Sequence, residues 1–424
     1  MPTRKAGLFL AFALWVLVLG LALGSPALIL ASVPVAMYLT FITVGPRPHL
    51  DVSVSRIPPQ SQVYEREAAT VSLKVRNEGP RIDLEVADEI PSGIEITRGS
   101  NHVFAVLERG EARTFSYTFS TRQFGVFTFG PIRVRSSDRS TSQYEEKSID
   151  IYDRVRVYPE VKYLSHIELR HPHPRNWPGE TLTRSAGQGL EFYAIREQAP
   201  GESVRRVNWK ASARSGRLML NQYVNEAGGE SLVILDSRAS SLIGSPPDTA
   251  HDYSVRAAAA LCYRLLRDRN RVGLLNAGKY FVRVPPGYGR RQFEKILAGL
   301  VSTEVSEADW SLDLVSYHVS LFSRMVQVIL VSPLVDWTPV YLASNLARRG
   351  HGVLVVSPSP VEIDEPKEGD KQTLRLAREI AALDRQQKLS LLRRHARVVD
   401  WNPRRPLEEA LEGLKESWRV RSRI

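Results

Sequence analysis

Between Lys5 and Arg47 the sequence carries no charged residue, and no other feature restricts the fold as strongly. Drawn as one helix, that stretch would be about 60 Å long, twice the roughly 30 Å hydrocarbon core of a bilayer. It therefore has to break, and "GSP" at 24–26 supplies the glycine and proline that end one helix and start another. Apolar segments at 6–23 and 26–44 then predict an N-terminal transmembrane helical hairpin within residues 1–46, with the lipid bilayer as its partner. Arg4 and Lys5 flank one end, Arg47 and Arg56 the other, and the turn between is uncharged. The positive-inside tendency predicts a two-span protein of the cell membrane with both ends and the soluble domains on the cytoplasmic side. A signal peptide cut near Gly24 is the rival, and the second apolar run argues against it.

After residue 50 the pattern changes. "DVSVSRI", "ATVSLKVRN", "IDLEVADEI", "TFSYTFST" and "GVFTFGPIRVRS" alternate apolar with polar residues, separated by turn signals such as "NEGP" and "PSG". Residues 50–160 are predicted to form an all-β immunoglobulin-like sandwich, the usual shape of a spacer or binding module. Residues 161–188 are rich in proline and histidine. In "HPHPRNWPG" the alternating prolines enforce extended backbone and His171 and His173 lack a third ligand, so an extended connector is expected rather than a metal site. From 189 to 424 apolar strands ("SLVILD", "MVQVILVSP", "HGVLVVSP", "RVVDW") alternate with amphipathic helices, which predicts an α/β domain with a mostly parallel sheet covered on both faces.

The net charge of +11 suits nucleic acid and an anionic membrane surface equally well. A single cysteine, Cys262, forbids an intrachain disulfide or a thiolate metal cluster, and its apolar helical setting suits an inert core thiol. "GLLNAGKY", 273–280, fits the phosphate-loop spacing G-x-x-x-x-G-K, but its first glycine lies inside a strand, Tyr280 replaces the hydroxyl residue, and "FVRVPP" continues as strand. A hairpin is expected there. There is no G-x-S-x-G elbow and no H-E-x-x-H, so no catalytic residues are assigned and a non-enzymatic protein is the leading expectation.

Asp236 ends the first apolar strand, and ligands of open parallel sheets collect at such carboxyl ends. "DSRAS", 236–240, resembles the D-x-S-x-S metal-ion-dependent adhesion motif of von Willebrand factor A domains, in which oxygen ligands hold a divalent cation such as magnesium. Asp236 and Ser240 match, with Asp336 as a second acid, but Arg238 stands in place of the middle hydroxyl. Against a cation site stands an Asp236–Arg238 or Asp336–Arg238 pair that mimics the ion.

The basic stretch "EFYAIREQAPGESVRRVNWKASARSGRLMLNQY" gathers Glu191, Arg196, Arg206, Trp209, Lys210 and Arg214. Ser203 as N-cap and Gly216 as stop predict a helix carrying Arg206, Lys210 and Arg214 in one stripe, with Trp209 packed. One tryptophan and a short stripe fall short of a nucleic-acid site, so nucleic acid is not expected as a partner. This stretch, followed by "SLVILDSRAS" and preceded by "FGVFTFGPIRVRSSD", resembles the hallmark of domain-of-unknown-function family fifty-eight. Glu202 for the usual aspartate and Arg238 are departures. The resemblance implies a von Willebrand factor A-like (Rossmann-type) domain on a membrane anchor, often associated with MoxR-type AAA+ ATPases. It favours a membrane-anchored adaptor or scaffold. The alternative is a metal-dependent adhesion protein or envelope hydrolase using Asp236, Ser240 and Asp336.

Overall fold

The computed structural model describes residues 4–44, 50–59, 62–137, 144–165, 181–199, 207–227, 229–302, 305, 311–322, 326–363 and 371–412. The chain divides into two compact units, Met1–Tyr158 and Pro159–Ile424.

The first unit opens with two helices, α1 (Arg4–Ala22) and α2 (Pro26–Val44), of 19 residues each. They pair as a hairpin because the chain reverses at Gly24, whose φ of 61° is the left-handed conformation glycine adopts without strain. Gly20 lets the helices touch, since a Cβ there would sit 3.0 Å from the backbone nitrogen of Ile29. Leu8, Phe12, Trp15, Leu21, Leu30 and Met37 point outward, exposed. Among the described residues no helix is long and apolar enough to cross a membrane. Each helix rises about 28 Å, a little under the hydrocarbon thickness.

Eleven strands follow: β1 (Val52–Ile57), β2 (Val63–Tyr64), β3 (Ala69–Asn77), β4 (Ile82–Asp88), β5 (Ile94–Arg98), β6 (His102–Leu107), β7 (Ala112–Thr121), β8 (Gly125–Phe129), β9 (Ile132–Ser137), β10 (Tyr144–Ile149) and β11 (Asp153–Tyr158). They form sheets ordered β1-β3-β7-β5, β10-β9-β4-β6 and β2-β11-β8. Period-two alternation sets the faces: Val71, Leu73 and Val75 of β3 point in, Thr70, Ser72 and Lys74 out. Leu73, Val75, Leu84, Val86 and Ile132 make one core, and Val71, Tyr117, Phe119 and Phe129 another. Arg56, expected to flank the membrane segment, is instead buried in this unit. Its Nε donates to Asp88 Oδ2 at 3.1 Å and its Nη1 to Asp153 Oδ2 at 2.9 Å, while Tyr117 donates to Asp88 at 2.7 Å. The folded unit thus neutralises the charge.

The second unit contains β12 (Thr181–Glu197), α3 (Trp209–Ser215), β13 (Met219–Ala227), β14 (Glu230–Asp236), α4 (Ala250–Arg267), β15 (Arg271–Ala277), β16 (Phe281–Gly287), α5 (Gly289–Val301), α6 (Leu312–Ser320), β17 (Gln327–Val331), α7 (Thr338–Arg348), β18 (Gly352–Pro358), α8 (Lys371–Leu392) and β19 (Arg397–Trp401). β12 and β13 pair as an antiparallel ribbon with register shifts. Residues 181–188, expected in the connector, therefore belong to a strand. The main sheet runs β16-β15-β14-β17-β18-β19. All its pairings are parallel except β15 with β16. Counted along the chain this is the doubly wound order 3-2-1-4-5-6, which reverses between β14 and β17. Leu232, Ile234, Val328, Leu330, Val340, Leu346, Val355 and Leu389 belong to its core. The capping box of Thr249 and Asp252 starts α4, and Cys262 is buried within it.

Candidate functional site

The crevice where the strand order reverses is lined by the carboxyl ends of β14 and β17. Leaving β14, the chain passes Asp236, Ser237 and Arg238 into a turn at Ala239–Ser241. Leaving β17, it passes Ser332 to Asp336 before α7. The structure brings Asp236, Ser240 and Asp336 together, and a guanidinium lies among them. Arg238, 2% exposed, donates from Nε to Asp236 Oδ1 and from Nη2 to Asp236 Oδ2, both at 3.0 Å. Its Nη1 reaches Asp336 Oδ2 at 2.9 Å. The hydroxyls complete the set: Ser332 donates to Asp236 Oδ2 at 2.7 Å and Ser240 to Asp336 Oδ2 at 3.2 Å. Asp336 Oδ1 accepts the amide of Thr338, the first residue of α7, at 2.8 Å. Burial opposes the charge on Arg238, but its bonds to Asp236 and Asp336 outweigh this and raise the guanidinium pKa above its ordinary value.

These oxygens do not fit a divalent cation while Arg238 is present. Both carboxylates already engage the guanidinium and a serine hydroxyl, and an ion would share the guanidinium's volume and be repelled by its charge.

Two further cations at this crest escaped sequence reasoning. Arg385 and Lys388 of α8 are buried. Arg385 Nη1 donates to the carbonyl of Pro333 at 2.9 Å, and its Nη2 to the carbonyl of Ser357 at 3.2 Å. Lys388 Nζ donates to the carbonyl of Val335 and, at 2.6 Å, to Asp384 Oδ2. Between the captured carbonyls Leu334 adopts a φ of 56°, a conformation a leucine holds only when its surroundings enforce it. The available signal was spacing: Arg385 and Lys388 share the helix face of the buried Leu389 and Leu392, where a solvated charge would not be placed.

A buried serine–histidine pair stands beside the crest. His251 Nε2 lies 3.0 Å from Ser237 Oγ, but that hydroxyl donates its proton to Asn276 Oδ1 at 2.8 Å. The histidine must then be the donor to the serine, the reverse of a base activating a nucleophile. Burial lowers the pKa of His251, with the charges of Asp252 and Asp236 acting against it.

The basic stretch differs from expectation. Val207 forms a bridge to Leu220, and α3 begins only at Trp209, capped by Asn208, whose side chain accepts the Ala211 amide at 3.0 Å. Ser203, Arg205 and Arg206 lie outside the described residues, while Lys210 and Arg214 lie on α3, both exposed. Trp209, expected to pack, is 70% exposed because it starts a helix of two turns whose residues are none of them buried. Gly216 ends α3 at a φ of 69°. Arg217 pairs with Glu197 at 3.2 Å, and Arg196 donates to the Glu197 carbonyl at 2.9 Å. Glu191 has its backbone in β12, and its side chain lies outside the described residues, as do His171 and His173.

Residues 194–370 match the family model described as "Protein of unknown function DUF58". The DUF58 match takes in α3, Arg238 and Asp336 but ends before α8, so Arg385 and Lys388 lie beyond it. The "Uncharacterized protein YeaD" of Bacillus subtilis (strain 168) is 23% identical over 66% of this chain and 69% of its own length. The "Uncharacterized protein Rv1480" of Mycobacterium tuberculosis is 32% identical over 28% of this chain and 38% of its own length, so the match spans well under half of that relative. Among solved structures, a FixG-related protein from Vibrio parahaemolyticus is 16% identical over 26% of this chain and 98% of that chain, with a TM-score of 0.19 that carries no argument about fold.

Proposed function

We propose that the chain is a membrane-anchored, non-enzymatic adaptor. In this reading the α1–α2 hairpin sits in the bilayer, the sandwich serves as a spacer, and the von Willebrand factor A-like unit docks a cytoplasmic protein. The family resemblance suggests a MoxR-type AAA+ ATPase or its client as that partner. The reading rests chiefly on Trp209, exposed beside Lys210, Arg214 and Arg217. Tryptophan and arginine are the side chains that most often anchor protein interfaces, and the exposed Leu218 and Ile195 extend the apolar part of the patch. For the anchor, the support is the outward-facing apolar surface of both helices. A shortfall of a few Å against the hydrocarbon thickness costs only fractions of a kcal/mol per Å. The alternative, cation-dependent adhesion or hydrolysis through Asp236, Ser240 and Asp336, loses support from the guanidinium that engages these carboxylates and from the donor role of His251.

The test is affinity isolation from gently solubilised membranes under nucleotide-trapping conditions. The wild-type chain should bring down an AAA+ ATPase, and the Trp209→Ala/Arg214→Glu variant should recover at least tenfold less. Recovery of the wild-type chain alone, repeatedly, would sink the adaptor reading.

A further inference from the structure

We infer that Arg238 is a built-in substitute for a bound cation, making the joint between the β14 and β17 loops independent of metal ions and convertible to an ion-dependent one by removing that side chain. The inference stands on the crest geometry and does not depend on the adaptor reading. The two loops belong to neighbouring strands and have no covalent link near the crest. Side chains join them, with Arg238 at the centre: it grips Asp236 on its own loop with two donors at 3.0 Å and reaches Asp336 on the other at 2.9 Å. Ser332 and Ser240 then add one contact to each carboxylate, and both of these contacts also cross between the loops. One positive charge thus faces two negative ones, Asp236 fully buried and Asp336 partly open to solvent. Apart from the guanidinium, every side chain in the cluster offers oxygen.

Hard divalent cations are held by such carboxylate and hydroxyl sets, and two carboxylates match the charge of one divalent ion. Arg238 supplies half that charge, but it is attached to the chain and its planar fork orients both acids without any ion being present. Deleting it by Arg238→Ser leaves the buried Asp236 facing the half-buried Asp336 with no positive charge between them, an arrangement that is costly unless a cation or protons enter. It also adds a third hydroxyl oxygen. The variant should therefore be less stable without ions and regain stability when magnesium or manganese occupies the gap.

The experiment is a set of thermal melts of the full-length chain in detergent, in chelator and in millimolar magnesium, manganese or calcium. The wild type should melt at the same temperature in all conditions. Arg238→Ser should melt lower in chelator and rise by about 5 °C or more, saturably, with at least one ion. If this variant is unfolded in chelator, recovery of a cooperative transition on adding the ion is the same result. Arg238→Lys, which keeps the charge and loses the fork, should melt below wild type and ignore the ions. An Arg238→Ser chain that none of the three ions restores would overturn the proposal. So would a wild type stabilised by an ion through a response that Asp236→Ala abolishes.

Discussion

At Asp336 burial and charge pull the carboxyl in opposite directions. Desolvation raises its pKa, but the hydrogen bond and charge of Arg238, with the amide of Thr338, outweigh this and hold it below the usual carboxylate range. Its folded pKa is therefore depressed relative to the unfolded chain. Stability from this group is fully present above the unfolded value of about 3.9 and is lost as pH falls through the folded pKa. Asp336→Asn should flatten the acid limb of the stability curve below about pH 4. Denaturant midpoints between neutral pH and acid would show it, and an unchanged acid limb would contradict the assignment. The side chain is 34% exposed, so solvent reduces the effect. Arg56 makes the opposite point about charge: sequence places it as a basic flank of the apolar segment, but it is buried in the first unit and paired with Asp88 and Asp153.

Among the elements, the β15–β16 hairpin explains why a phosphate-loop spacing appears where no such loop exists. Ala277 pairs with Phe281, so the segment between them is a tight strand reversal rather than the start of a helix. Gly273 is there for packing. A Cβ at that position would meet the carbonyl oxygen of Val284 at 3.0 Å, Pro286 at 3.2 Å and the Phe322 ring at 3.2 Å. Gly273→Ala should accordingly cost about 1–3 kcal/mol through overpacking, measured by urea unfolding, and leave any nucleotide response unchanged. A neutral substitution would show that the hairpin gives way easily. The same level of description accounts for the error over α3. The residue that caps α3 is Asn208, not the expected Ser203. The bridge from Val207 to Leu220 ties Val207 to β13, and α3 starts at Trp209.

For the whole molecule, the adaptor proposal requires both units to lie on the cytoplasmic side of a membrane, where an ATP-driven partner can reach them. With Arg56 committed to the sandwich, the argument for a cytoplasmic location rests on Arg4, Lys5 and Arg47 against an uncharged turn. Ser92 is exposed in a turn of the sandwich, whereas Cys262 is buried and its thiol pKa is pushed up by burial. A Ser92→Cys chain should resist a membrane-impermeant maleimide in intact cells and react after permeabilisation, and labelling before permeabilisation would reverse the orientation. Sequence by itself determined the local features of the chain: the break at Gly24, the alternation of β3, the apolar run of β14 and the hairpin after Ala277. Each follows from the period of apolar residues or from a residue with unusual backbone freedom, and both are properties of short segments. The tertiary structure decided what Asp236, Arg238 and Asp336 do, where Arg385 and Lys388 point, and that Trp209 is exposed. Those outcomes depend on which carbonyls and carboxylates are brought together from residues far apart in the chain, and a charge is neutralised by its neighbours in space, not by those in sequence.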